Sequence, residues 1–521
     1  MASFLIIAVA ITFGAWIQDA VLLGSDLGWL MRSVRLMSEG QRFGVDIFEA
    51  NLPVTWYLCL PAAWAVDIFG LSEVTAIRLW IWIVAGVSLL VARACNLQAG
   101  DRSYRTLAEL AAAAVAACIL VGPSFGQREH LALLLSLPYL FVVRLLSSDT
   151  PTGSRHAIAA GVLAGVAFSI KPIFVMIPLA VELALLGLRR RQWKWIRLET
   201  LSLAIAGLAS AGGALMLAPD YLREVVAVTY ATYWAYDSPV GAMLAAYPVA
   251  TIAFVGWTAA LLADRRIARA SLVWFAAFAA WTASYFIQHR GFDYHGYPAL
   301  ACAFVLSAGA FAILAGRLRE AAVRVPDAAR IGPLRLKLIA GAAMLLVTMY
   351  ALVSDTRLWF RSTQENWQLS RSAARKEVVA LLDTLGIGRG QSVFAFSTNP
   401  FPAFPSLNYL GADWVGPDMA QFLLPAWLRR DEARDAAHRA AIDAAMAIQR
   451  EHVRRALVDG DPDVILMNRW SRGASPHAAG MKRIDYFAIF GADPAVAAAL
   501  DRYRKVAELR GTEVYVRRVS D

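Results

Sequence analysis

With 521 residues the chain has room for two or three domains. Its 58% apolar content, 17% charged content and mean hydropathy of +0.50 exclude an ordinary water-soluble body, which would lack the polar surface to cover itself. The net charge of +10 does not point to nucleic acid. Its excess bases sit in short loops between apolar runs, acids nearly balance bases beyond Ser354, and no zinc-finger, RRM-like or basic-helix pattern occurs.

Taken in chain order, apolar runs near 4–23, 77–95, 107–122, 131–147, 157–170, 173–188, 198–217, 246–263, 271–287, 299–316 and 337–353 predict about eleven transmembrane helices. The first has neither a basic n-region nor a small-residue cleavage site, so an uncleaved helix is expected. One set of loops carries most of the bases, from Arg93 through Arg189-Arg190-Arg191 and Arg265-Arg266 to Lys337. The positive-inside rule puts that set in the cytoplasm, with the N-terminus inside and the residues after Ser354 outside. Residues 54–70 are apolar enough to span, yet a span there would place the Arg-rich loops outside. Their Trp and Tyr content suits a helix in the outer interface instead. Residues 27–38 form a second such candidate, with Leu27, Leu30, Met31, Val34 and Met37 on one face and Arg32 and Arg35 elsewhere.

The expected division is a membrane domain over 1–353 and a soluble α/β domain over 354–521. In the latter, Ser392–Ser397 and Asp463–Met467 read as buried strands and Glu513–Arg517 as a half-exposed one, with helical patterns at 371–385 and 431–458. The four cysteines all lie in apolar stretches before residue 303 and imply neither a disulfide framework nor a thiolate metal site.

On this topology the unusual polar residues gather at the outer ends of the helices. They are Asp26, Asp46 and Glu49 in the first loop, Gln127-Arg128-Glu129-His130, Lys171 before Pro172, and the run Gln288-His289-Arg290-Gly291-Phe292-Asp293-Tyr294-His295. Each has a plainer reading. Arg128 and Glu129 can form a local surface ion pair, Lys171 can snorkel to the interface, and the aromatic run can be part of an interfacial belt. Together they suit another use. Cations at the water boundary bind the phosphate of a lipid, and a carboxylate beside it takes the proton of a sugar hydroxyl. That chemistry is glycosyl transfer from a lipid phosphate.

The chain at this point resembles the GT-C glycosyltransferases, among them protein O-mannosyltransferases and the enzymes that add aminoarabinose or galacturonic acid to lipid A. The resemblance covers roughly 1–350 and rests on helix order and four patches. Asp26-Leu-Gly-Trp29 followed by Gly40-Gln-Arg-Phe-Gly-Val-Asp46-Ile-Phe-Glu49-Ala-Asn51-Leu-Pro53 is similar to the family's first outer loop. Two departures stand out: Leu27 follows Asp26 where many members have a second acid, and Asn51-Leu52-Pro53 replaces a Lys-Pro-Pro run. The resemblance implies an inverting transferase of a bacterial inner membrane, acting on the periplasmic side. Its donor would be a polyprenyl-phosphate sugar and its acceptor a glycan, glycolipid or protein. Asp26 would be the general base and Glu129 a helper. Lys171 and Arg290, with Arg128, would hold the donor phosphate. His289, Tyr294, His295, Glu49 and Asp46 would line the sugar and acceptor sites. The family admits a divalent metal ion, for which Asp26, Glu129 or His295 would be the ligands. The rival readings are a transporter or flippase of lipid-linked saccharides and an enzyme of O-antigen ligase or polymerase type.

Overall fold

The computed structural model describes residues 1–190, 192–324, 328–364, 371–472, 481–509 and 511–518; Arg191 of the basic loops lies outside them. Helices dominate: α1 Ala2–Asp19, α2 Ser25–Ser38, α3 Val54–Phe69, α4 Glu73–Gln98, α5 Tyr104–Ala114, α6 Arg128–Ser147, α7 Ser154–Ser169, α8 Met176–Arg189, α9 Leu198–Leu217, α10 Val226–Thr232, α11 Val240–Ala246, α12 Pro248–Ala263, α13 Arg265–Gln288, α14 Asp293–Arg324 and α15 Ala328–Gln364. Among the described residues, eight helices are long and apolar enough to cross a bilayer, or up to nine if the bent pair α11–α12 counts as one span. The eleven expected spans are all largely helical. The three beyond the eight fall in α5 with its π-helical extension Val115–Ile119, in α7 and in α12. Both α7 and α12 have 16 residues, about 24 Å of helix against a core of about 30 Å.

Contacts gather the chain into two compact units, each discontinuous in sequence. The first comprises residues 1–19, 81–213 and 240–360. Its centre is α6, buried over nearly its whole length against α7, α8, α13 and α14. Gly161 and Gly165 let α7 and α9 approach backbone to backbone, since a Cβ at either would collide with the carbonyl oxygens of Glu199 and Leu203. The π-helical turn Val115–Ile119 has two carbonyls engaged by side chains of other helices. Tyr297 Oη donates to Ala116 O at 2.9 Å and His130 Nε2 to Ala117 O at 2.9 Å.

The second unit holds residues 20–80, 214–239 and 361–521. Its later part contains α16 Arg371–Thr384, α17 Ser406–Leu410, α18 Leu424–Leu428 and α19 Ala436–Arg454. These accompany strands β1 Ser392–Phe396, β2 Asp413–Trp414, β3 Val464–Asn468, β4 Trp470–Arg472, β5 Met481–Arg483, β6 Tyr503–Leu509 and β7 Thr512–Arg517. The main sheet runs β2-β1-β3-β7-β6, parallel through β3 and antiparallel beyond it, and β4 pairs with β5 separately. Strands β1 and β3 are nearly continuous apolar runs, as parallel strands covered on both faces must be. Strand β6 was not expected from sequence, because Arg504, Lys505 and Glu508 give it the charged character of an exposed edge.

Helix α2 does not present Arg32 as a solvated flank. Arg32 is buried, its Nη2 donates to Ala412 O at 2.9 Å, and it pairs with Glu73 at 3.3 Å. Asn408 Nδ2 binds Gly28 O at 3.0 Å and Glu73 Oε2 at 2.6 Å, while Trp29 packs edge-on to Phe404. The first loop and the C-terminal residues thus share one core. Gly28 is required there, since a Cβ would stand 2.6 Å from Asn408 Oδ1 and 3.0 Å from Pro405 Cα. Gly28→Ala is therefore expected to cost about 1–3 kcal/mol of stability by overpacking. Chemical unfolding in mixed micelles measures it, and unchanged stability would show that residues 405–408 yield freely.

Candidate active site

Helix α6 begins at Arg128 after an extended Gln127, and its first turn carries Glu129 and His130. Chain direction places the end of α7, the end of α13 and the start of α14 beside it. The side chains from these ends converge. Lys171 Nζ stands 2.5 Å from Glu129 Oε1, 3.0 Å from Gln288 Oε1 and 3.3 Å from His295 Nε2. His295 Nε2 is 3.4 Å from Glu129 Oε1, and both side chains are fully buried. Lys171 does not stand alone, and the acid that it meets is the one whose plainer reading is a surface pair with Arg128. Proline at 172 opens a short 3-10 turn, which holds Lys171 in extended backbone at the helix junction.

An ammonium has three N–H bonds, and those of Lys171 have three acceptors in Glu129, Gln288 and His295. Burial pushes its pKa down from the usual lysine range; Glu129 opposes the push, and the charges of Arg128 and Arg290 add to it. Gln288 is a site residue that the sequence places in the polar run without a role. A glutamine closing a helix carries no charge and reads as a solvated cap. Its amide nitrogen donates to Ser284 O and Oγ at 3.2 Å, which turns its oxygen toward Lys171.

Other predicted residues take distinct places. His289 is exposed and has a positive φ of 53° at the turn after α13. Tyr294 meets His295 edge-on at 4.6 Å and stacks on Phe292 at 5.5 Å, making an aromatic shelf beside the cluster. His130 is a wedge. Its Nδ1 accepts from Gly126 N at 3.1 Å, so the Nε2–H tautomer reaches Ala117 O.

Asp26, Asp46 and Glu49 belong to the second unit. Asp26 is half-buried in the first turn of α2, where the helix dipole favours a negative side chain. Asp46 accepts from Arg42 N at 2.9 Å in an exposed turn. Glu49 is buried and accepts from Trp29 Nε1 at 2.8 Å and from Asn51 N and Nδ2 at 3.0 and 2.6 Å. Its carboxylate fixes the loop onto α2.

Lys171 Nζ sits beside the Glu129–His295 pair, within hydrogen-bond reach of both. Among the described residues no three His, Cys, Asp or Glu side chains converge as ligands. The cluster instead gathers cations around one buried carboxylate. Beside Glu129 stand Lys171 and the charges of Arg128 and Arg290, with Asp293 opening α14.

No protein-family model matches the chain, and no curated protein matches it. Among solved structures, the oligosaccharyltransferase of Archaeoglobus fulgidus, crystallised in complex with Zn and sulfate, is similar with a TM-score of 0.39 and 12% identity. The match covers 98% of this chain and 73% of that one.

Proposed function

We propose that the chain is an inverting glycosyltransferase of GT-C type in a bacterial inner membrane, moving a sugar from a polyprenyl-phosphate donor to a periplasmic glycan, glycolipid or protein. The observation that carries this reading is the cationic cluster built from the ends of α6, α7, α13 and the start of α14. The aromatic shelf of Phe292 and Tyr294 lies next to it. An apolar chain carrying a phosphate suits helix ends of this charge, and a sugar suits the rings. Lys171 and Arg290, with Arg128 in support, are the cations that would hold the donor phosphate. Lys171 would hold Glu129 and His295 in place and lend its charge.

In the reaction, the Asp26 carboxylate takes the proton of an acceptor hydroxyl, and that oxygen attacks the anomeric carbon from the face opposite the phosphate. The bond from the anomeric carbon to the phosphate oxygen breaks. Its electron pair leaves on the polyprenyl phosphate, whose growing charge the arginines stabilise. A transporter would set its polar residues near the bilayer midplane on broken helices; here they sit at helix ends.

The test pairs wild type with Asp26→Asn in nanodiscs supplied with labelled polyprenyl-phosphate sugars. Transfer is expected to fall by about 10²–10⁴-fold in the variant, the usual contribution of a general base. Full activity in a folded variant removes Asp26 from this role. Wild type that carries lipid-linked sugar across vesicles without transferring it favours the transporter.

A further inference from the structure

Residues 221–232 form a helical run, a π-helical turn Tyr221–Val225 continued by α10. One side is buried in the second unit. Tyr221, Val225 and Ala231 face inward, and the Ala231 carbonyl accepts from His438 Nε2 at 2.9 Å. The opposite side keeps Leu222, Val226 and Tyr230 at 52%, 39% and 76% exposure. Their four-residue spacing makes one apolar stripe along the helix. A free stripe of that kind is unfavourable in water, so something apolar covers it.

Two observations identify the cover. The run is tied in sequence to the membrane at both ends: α9, a candidate span, stops at Leu217, and the apolar helices α11 and α12 resume at Val240. It also shares a neighbour with α3 within the unit, because the Phe43 ring lies 5.2 Å from Trp56 of α3 and 6.0 Å from Tyr221. Helix α3 exposes Trp64, Ile68 and Phe69 at 50%, 72% and 72%, the same pattern on a helix too short to span. Arg223, paired with Asp220 at 4.0 Å, is exposed beside the stripe with Glu224, and Arg429, paired with Glu432 at 2.6 Å, donates to Ala235 O at 3.0 Å while lying 4.8 Å over the Trp234 ring. Arginine and aromatic residues of this kind mark the headgroup level of a bilayer.

We infer that residues 221–232 are an interfacial anchor, seated with Leu222, Val226 and Tyr230 in the headgroup–acyl boundary of a phospholipid leaflet. Together with α3 it seats the second unit on the membrane. The inference is independent of any catalytic role.

Single cysteines at Leu222, Val226, Tyr230 and, as a water-facing control, Glu508 can each carry an environment-sensitive fluorophore in the full chain, because the native cysteines are buried. The chain is placed in nanodiscs of phosphatidylcholine and phosphatidylglycerol, with and without lipids bearing a nitroxide high on the acyl chain. The expected result is a blue shift and a loss of emission with nitroxide lipid at all three stripe positions, and neither at Glu508. Emission at the stripe that matches the control overturns the inference. So does self-quenching that grows with the number of chains per disc while nitroxide lipid has no effect, which would make a second copy the cover. All four sites are exposed, so each labelled variant tests the stripe without disturbing a core.

Discussion

Lys171→Met is expected to destabilise the chain by about 3–5 kcal/mol, because it strands the buried carboxylate of Glu129 without its cation. The methionine fills the space of the stem but donates nothing, so Gln288 Oε1 and His295 Nε2 also lose their partner. Glu129→Gln alone strands the lysine in the same way. The double variant Lys171→Met, Glu129→Gln removes both charges and is expected to recover most of the loss, giving a coupling energy that neither single change reveals. Unfolding of the four proteins in mixed micelles closes the cycle. A lysine that merely reached for the interface would give a single-variant effect within about 0.5 kcal/mol, the range of surface substitutions. That result would dissolve the cluster as a unit.

The contrast between Lys171 and Arg32 shows what local pattern conveys. Lys-Pro between two apolar runs fixes the lysine at a helix junction, and the matching end of α6 follows from alternating chain direction alone. That Lys171 meets Glu129 rather than water depends on the closeness of α6, α7 and α13, which no residue spacing encodes. Arg32 is harder still. Heptad-like spacing marks it as the polar flank of an amphipathic helix, while its partners Glu73 and Ala412 lie roughly 40 and 380 residues away. The strands divide on the same line. Apolar β1 and β3 announce themselves, whereas β6 is charged because it is an edge. Gln288 stands in the polar run without an assigned role, since an uncharged amide becomes distinctive only once Ser284 has oriented it.

The opposite end of α6 carries a second ionic cluster, and Arg144→Leu there is expected to cost about 3–5 kcal/mol. Arg144 is buried with its guanidinium set among two carboxylates and a hydroxyl. Nη1 pairs with Asp101, Nε lies 2.8 Å from Glu109 Oε2, and Nη2 donates to Thr106 Oγ1 at 2.6 Å. Glu109 keeps a second cation in Arg105 at 2.8 Å, so the change bears hardest on Asp101. Burial by itself would raise the Asp101 carboxyl. The hydrogen bond and charge of Arg144, with Thr106 and Ser103, outweigh burial and hold it well below the usual carboxylate range. A folded pKa below the unfolded value of about 3.9 means that the unfolded chain takes up the proton first. The stabilisation is therefore complete above about pH 5 and drains away as pH falls below about 4 toward the folded value. Wild type should show that acid limb in unfolding measured from neutral to acid pH, and Arg144→Leu should lose the share that Asp101 contributes. Arg144→Lys keeps a charge but cannot hold two carboxylates and a hydroxyl in one planar fork, so it should fall between the two. An acid limb of the same depth in Arg144→Leu as in wild type would show that Asp101 is held by something else.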